Sequence, residues 1–115
     1  MLELQAKGCH NIGFVSPTHF APQMARGILL AAKQGLKLPI VYNTNAYDSV
    51  EVLKLLDGIV DIYLPDLKYA EDSEGFEYSK VRSYTTYARQ AIKEMFRQMG
   101  DELVYDEQGL LKRGL

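Results

Sequence analysis

Three short runs rich in β-branched and aromatic residues recur along the chain, at residues 11–16, 38–43 and 59–64. Each run has the length of a strand and is too short for an independent helix. Segments with helical spacing separate the runs, and this alternation favours right-handed βαβ units with parallel strands in one sheet. The order of these elements predicts an α/β fold.

Helical segments are predicted at about 20–34, 46–58 and 84–99, where apolar residues recur on one face. Asp48 and Glu51 stand three residues apart at the start of the second segment, a spacing that resembles a capping box. The sequence after the third segment, LVYDEQGLLKRGL, predicts a hairpin that turns at residues 107–109. The chain is therefore expected to contain about three βα units followed by a C-terminal hairpin.

Composition excludes several classes of protein. The 115 residues fit one domain, and a formal net charge of −2 gives no reason to expect nucleic acid or an anionic membrane as a partner. No apolar run approaches the roughly 18 residues of a membrane helix, and no signal-peptide pattern opens the chain. Cys9 is the single cysteine, so an intramolecular disulfide is impossible, and a cytoplasmic location is expected.

Polar residues follow each predicted strand. In parallel α/β sheets, ligands bind beyond the carboxyl ends of the strands, where the connecting loops converge. This pattern predicts a small-molecule site, although capping and turn residues are polar in any α/β protein. The residues in question are Ser16, Thr18 and His19 after the first strand, Asn43, Thr44 and Asn45 after the second, and Asp66 and Lys68 after the third.

Other chemistries have weaker support. His10 and His19 lie nine residues apart and fit no zinc spacing, so no metal site is predicted. Cys9 precedes His10, but neighbouring side chains on an extended segment point apart, and a buried inert thiol is expected. Tyrosines can stack on a ligand, yet most are expected to pack in the core with a hydrogen-bonded hydroxyl. They include Tyr63, Tyr69, Tyr78, Tyr84 and Tyr87.

The stretches VSPTHF, YNTNAYDSVE and DGIVDIYLPDLKY resemble radical S-adenosylmethionine proteins related to pyruvate formate-lyase activating enzyme. The resemblance extends over nearly the whole chain. It implies a partial (β/α) barrel that holds a 4Fe-4S cluster and S-adenosylmethionine at the carboxyl ends of its parallel strands. In such proteins, reductive cleavage of the cofactor yields a 5′-deoxyadenosyl radical. For the activating type, the resemblance also implies a glycyl radical enzyme as protein substrate.

The resemblance implies contacts to S-adenosylmethionine at the ends of all three strands. Asn43 stands where the family has an aspartate, which removes an acid from this position. Asp66 is expected to accept a hydrogen bond or help to hold a cation, and Lys68 to pair with the cofactor carboxylate. The complete set of implied cofactor-binding residues is Ser16, Pro17, Thr18, Asn43, Thr44, Asn45, Asp66 and Lys68.

The chain departs from the family at the cluster. Family members ligate it through a CxxxCxxC loop, and Cys9 matches none of those positions, whereas a cluster needs several thiolates. Residues 1–115 are therefore expected to be a partial core domain, truncated at both ends and inactive alone. Self-association through exposed sheet edges is expected as well. The alternative is a non-catalytic α/β remnant that binds a ligand or a partner chain.

Overall fold

The computed structural model describes residues 1–68 and 83–115, and its centre is a parallel sheet of three strands. These are β1 (Ile12–Val15), β2 (Ile40–Thr44) and β3 (Ile62–Pro65), which lie side by side in chain order. Val15 pairs with Asn43, and Asn43 pairs with Leu64. The α/β fold class and the three predicted strands are confirmed.

Helices connect the strands and precede the hairpin. They are α1 (Leu2–Ala6), a 3-10 helix (Pro17–Phe20), α2 (Ala21–Lys33), α3 (Val50–Leu55) and α4 (Tyr84–Met99). The hairpin consists of β4 (Val104–Tyr105) and β5 (Leu111–Arg113), which are antiparallel and form a separate sheet. The predicted hairpin is thus confirmed.

One face of the sheet packs against the helices and forms the main core. Its largest side chains bury apolar area, and each fully buried side chain of this kind contributes about 1.5–3 kcal/mol to folding. The sheet contributes Ile12, Ile40, Tyr42 and Tyr63, and the helices contribute Met24, Ile28, Leu53, Met95 and Met99.

The opposite face of the sheet is open at the carboxyl edge. Side chains alternate across a strand, so Val15, Asn43 and Leu64 form one row on this face. Val15 is 72% exposed and Leu64 is 47% exposed. Helices usually cover both faces of a parallel sheet. We call Val15, Asn43 and Leu64 the open row. Among the described residues, no helix covers it.

The two edges of the sheet differ. On the outer side of β3, the Tyr63 amide donates to the Gly114 carbonyl at 3.0 Å, and the Gly114 amide donates to the Asp61 carbonyl at 3.1 Å. Gly114 and Ile62 thus form an isolated parallel β-bridge. On the other side, β1 pairs with β2 alone among the described strands. The β1 edge is therefore unpaired in the part of the chain that the structure describes.

Two sequence interpretations need correction. The N-cap of α3 is Ser49, and no side chain caps the helix, so the capping box of Asp48 and Glu51 is wrong. The Asp48 carboxylate accepts hydrogen bonds from three hydroxyls instead, and Glu51 accepts one from the Ser49 hydroxyl at 2.8 Å. Cys9 is half-buried, not buried, because it lies at the surface between α1 and β1. Among the described helices, none is long and apolar enough to cross a membrane.

Candidate functional site at the carboxyl edge of the sheet

The ends of the three parallel strands lie next to one another. The Ser16 amide donates to the Asn43 carbonyl at 2.7 Å, and the Asp66 amide donates to the Thr44 carbonyl at 2.8 Å. Both bonds extend the ladder beyond the strands by one residue. The loops that carry the predicted site residues therefore start from one shared edge.

A buried carboxylate joins the first two loops. Asp48 is 3% exposed. Its Oδ1 accepts hydrogen bonds from the Thr18 hydroxyl at 2.9 Å and the Tyr42 hydroxyl at 2.8 Å. Its Oδ2 accepts a third from the Thr44 hydroxyl at 2.6 Å. We call these four residues the Asp48 cluster.

The Asp48 cluster has an electrostatic consequence for Tyr42. Burial raises the pKa of the Tyr42 phenol well above its usual range, and the negative charge of Asp48 raises it further. Tyr42 therefore stays protonated and remains a hydrogen-bond donor to Asp48. The hydroxyls of Thr18 and Thr44 also donate hydrogen bonds to Asp48. These bonds hold the loops after β1 and β2 together.

The hydroxyl of Tyr84 joins the loops after β2 and β3. Tyr84, at the start of α4, is 2% exposed, and its hydroxyl donates to the Asn45 carbonyl at 2.6 Å. The same oxygen accepts the Lys68 amide at 2.7 Å and lies 3.3 Å from the Asp66 carbonyl. The Tyr47 ring stacks on the Tyr84 ring, with centroids 6.1 Å apart. One side chain thus positions two of the loops at the carboxyl edge of the sheet. We call this edge, with its loops, the rim.

Asp66 and Lys68 carry the charges of the rim. The Lys68 ammonium and the Asp66 carboxylate lie 2.5 Å apart, and the two side chains are 52% and 61% exposed. The Asp66 amide continues the ladder to β2, so alternation places Asp66 on the same side of the sheet as Leu64. An exposed acid and an exposed base therefore stand beside the open row.

The other predicted residues are divided between the two sides of the sheet. Asn43 belongs to the open row and is half-buried. Ser16 is exposed, with a left-handed φ of 51°, and begins the 3-10 helix, whose Pro17 is buried. The Asn45 side chain is occupied locally, since its Oδ1 accepts the Tyr47 amide at 3.0 Å. The structure thus places Asn43 and Asp66 on the open side of the sheet, with the Lys68 ammonium beside Asp66. Ser16 is exposed at the end of β1.

Sequence reasoning misses the role of Asp48 and does not single out Tyr84 from the other tyrosines. Asp48 was assigned to a helix cap because its spacing to Glu51 fits that motif. The signal that could have identified it is the Thr44–Asp48 separation, with Tyr42 two residues before the threonine. Tyr84 was expected to pack with a bonded hydroxyl, as it does, and the Tyr63 hydroxyl likewise donates to Gln98 at 2.7 Å.

No cluster of metal ligands is present among residues 1–68 and 83–115, where three or more histidine, cysteine or acidic side chains never converge. The single thiol of Cys9 cannot replace the several thiolates that a 4Fe-4S cluster requires. The residues of this chain therefore do not fit an iron-sulfur cluster. Of the tyrosines considered as stacking partners, Tyr69 and Tyr78 lie outside the described residues.

Comparison with known proteins shows a partial similarity to a curated protein. The Uncharacterized protein MJ0674 of Methanocaldococcus jannaschii is 45% identical over 47 residues, which are 41% of this chain. The matched segment spans 14% of the length of that relative. No family model matches the chain, and no solved structure matches it.

Proposed function

We propose that this chain is part of a cytoplasmic radical S-adenosylmethionine protein of the glycyl-radical-enzyme activating type. In this proposal the three parallel strands belong to a partial (β/α) barrel, and the open row faces the cofactor. The observation that carries the proposal is the position of the exposed Asp66–Lys68 pair beside the open row, at the carboxyl edge of the sheet. Ligands of parallel α/β folds bind at this edge.

The charges of the rim suit an amino-acid zwitterion such as the methionine part of S-adenosylmethionine. Lys68 pairs with the ligand carboxylate, and Asp66 accepts hydrogen bonds from the ligand ammonium or ribose. Because both side chains are more than half exposed, their mutual ion pair stabilises the fold by only about 0–1 kcal/mol. A ligand that offers each charge a new partner can therefore replace this pair at little cost.

The open row suits the less polar parts of the same ligand. Val15 and Leu64 present exposed apolar surface on either side of Asn43. Apolar contacts of this kind bind a ligand through the area removed from water, while the Asn43 amide supplies both a donor and an acceptor. The Asp48 cluster and Tyr84 hold the loops in place.

The electron for cofactor cleavage has to come from elsewhere. A 4Fe-4S cluster would supply that electron, and this chain does not provide the thiolates to hold one, since Cys9 is its single cysteine. The residues of this chain bind and orient S-adenosylmethionine. Anaerobic incubation with iron and sulfide should therefore leave the chain without stoichiometric iron and without cleavage of the cofactor. Stoichiometric iron with visible absorption would overturn this assignment.

Titration of S-adenosylmethionine by calorimetry tests the proposed site. We expect weak binding to the parent chain, and a loss of about tenfold, or 1.4 kcal/mol, for Asp66→Ala and for Lys68→Ala. Asp101→Ala and Lys93→Ala are matched controls, since both residues are exposed and lie away from the rim. Unchanged affinity in both rim variants would favour the non-catalytic remnant over the cofactor site.

A further inference from the structure

An apolar groove runs between α2 and α3 on the helical side of the molecule. It has a volume of about 480 Å³. Its walls include two leucines that face water, because Leu29 is 52% exposed and Leu55 is 70% exposed. Its apolar lining includes Ala21, Ala25, Leu29, Val52, Leu55 and Ile59. We call this surface the α2–α3 groove.

The charges around the α2–α3 groove have a single sign. Arg26 and Lys33 line it, and no acidic residue is among its lining residues. Neither cation forms an ion pair with a carboxylate of the described residues. The whole chain has a net charge of −2, so this local positive surface runs against the overall charge.

The acidic residues of α3 and its C-terminal turn face a different surface. Glu51 lines the neighbouring concavity between α3 and α4, together with Lys54. The Asp57 carboxylate is paired with the Arg97 guanidinium at 3.1 Å. Nothing within the described residues therefore neutralises the two cations of the α2–α3 groove.

We propose that the α2–α3 groove binds an acidic amphipathic helix of a partner protein. In this mode of recognition, apolar side chains on one helical face enter the groove, and flanking carboxylates pair with Arg26 and Lys33. The 13 residues of α2 span about 20 Å, which matches three to four turns of a partner helix. This inference goes beyond the proposed cofactor site and does not depend on it.

A second copy of the chain is a poor occupant. A symmetric dimer through the α2–α3 groove would place the cations of one copy against those of the other. The longer helices of the chain do not supply a complementary surface either. The sequence of α2 contains no acidic residue, and the single glutamate of α4, Glu94, is buried. A bilayer is also a poor occupant, since helices that enter a membrane surface present a continuous apolar face and not a cleft between two helices.

Fluorescence anisotropy with two labelled peptides tests the proposal. Each peptide has about 14 residues with leucine at helical i, i+3, i+4 and i+7 spacing, and the remaining positions carry glutamate in one peptide and lysine in the other. The glutamate peptide should bind the chain at least about tenfold more tightly than the lysine peptide, and added salt should reduce this difference. Equal binding of both peptides, or no binding of the glutamate peptide, would overturn the proposal.

Matched variants locate the binding surface. Leu55→Asp should abolish binding of the glutamate peptide, whereas Leu4→Asp, on α1, should not, and circular dichroism reports whether each variant is folded. The double variant Arg26→Glu with Lys33→Glu should reverse the peptide preference. Its control, Lys7→Glu with Lys93→Glu, makes the same change in net charge at exposed positions outside the groove.

Two further outcomes would contradict the proposed occupant. A concentration-dependent dimer that Leu55→Asp converts to a monomer would identify a second copy in the α2–α3 groove. Sedimentation of the chain with anionic phospholipid vesicles, lost in the same variant, would identify a membrane surface. Light scattering and vesicle sedimentation on the parent chain and Leu55→Asp make both measurements.

Discussion

The hydroxyl of Tyr84 donates a hydrogen bond of 2.6 Å to the backbone carbonyl of Asn45, across 39 residues of sequence. The same oxygen accepts the Lys68 amide, so one buried side chain on α4 fixes the loops after β2 and β3. The Tyr84 hydroxyl lies at the backbone of Asp66 and of Lys68, so it helps to position their exposed, charged side chains. The geometry of the candidate site therefore depends on a residue that does not face it.

Removal of the Tyr84 hydroxyl should loosen the rim more than the core. Tyr84→Phe keeps the packed ring but leaves the Asn45 carbonyl and the Lys68 amide without this partner, which costs about 1–3 kcal/mol of folding free energy. Hydrogen exchange should accelerate at the Lys68 amide. Urea unfolding gives the stability change, and Tyr87→Phe serves as the control because Tyr87 is 49% exposed. Unchanged exchange at Lys68 would show that Tyr84 does not position this loop.

Replacement of Asp48 should be more costly than replacement of Glu51. Asp48→Ala leaves the hydroxyls of Thr18, Tyr42 and Thr44 without their shared acceptor and should destabilise the chain by about 3 kcal/mol or more. Asp48→Asn keeps an acceptor and should cost less. Glu51→Ala removes one exposed hydrogen bond and should change stability by less than about 0.5 kcal/mol. Equal losses of stability in Asp48→Ala and Glu51→Ala would contradict this role of Asp48 and favour the capping-box interpretation.

Stability should fall in acid because of Glu94. Its carboxylate accepts two hydrogen bonds from Arg97, at 2.7 and 2.9 Å, and a third from Gln98 at 3.0 Å. The bonds from Arg97, followed by that from Gln98, lower the Glu94 pKa from 4.5 to about 2. A lowered pKa stabilises the folded state fully above pH 4.5, and this contribution disappears as the pH falls to about 2.

Chemical denaturation at several pH values tests this linkage. Glu94→Gln should be less stable than the parent chain at pH 7, and the difference should shrink steadily as the pH falls from 4.5 toward 2. Glu107→Gln, at an exposed hairpin position, is the control. If the difference in unfolding free energy stays constant across this pH range, Glu94 stabilises the fold through packing and not through its charge.

Hydrophobic patterning was sufficient to predict the sheet and its order. Runs such as 38–43 and 59–64 have strand length and apolar character, and the helical spacing between them specifies parallel crossovers. The site was predicted only in part. Local spacing assigned Asp48 to a cap, because a sequence window of four residues contains Glu51 but not the Thr18 hydroxyl 30 residues earlier. Long-range hydrogen bonds such as that of Tyr84 leave no periodic signal in the sequence.

Self-association should proceed through the unpaired edge of β1. The Ile12 amide donates to the Pro39 carbonyl, just before β2, and the Ser16 amide to the Asn43 carbonyl. Alternation therefore directs the amides of Gly13 and Val15 away from β2. Free amides at an edge template pairing with another chain. Light scattering over a dilution series should show oligomers, and Val15→Lys should reduce them because a charged edge residue opposes pairing. A parent chain that remains monomeric at high concentration would contradict this expectation.

The most direct test of the proposed cofactor site is a map of amide chemical shifts in the ¹⁵N-labelled chain during titration with S-adenosylmethionine. The largest shifts should occur at the carboxyl edge of the sheet, at Ser16, Asn43, Asp66 and Lys68. The amides of the α2–α3 groove should not move. Shifts concentrated at that groove, or no shifts at the rim at millimolar cofactor, would contradict the cofactor site.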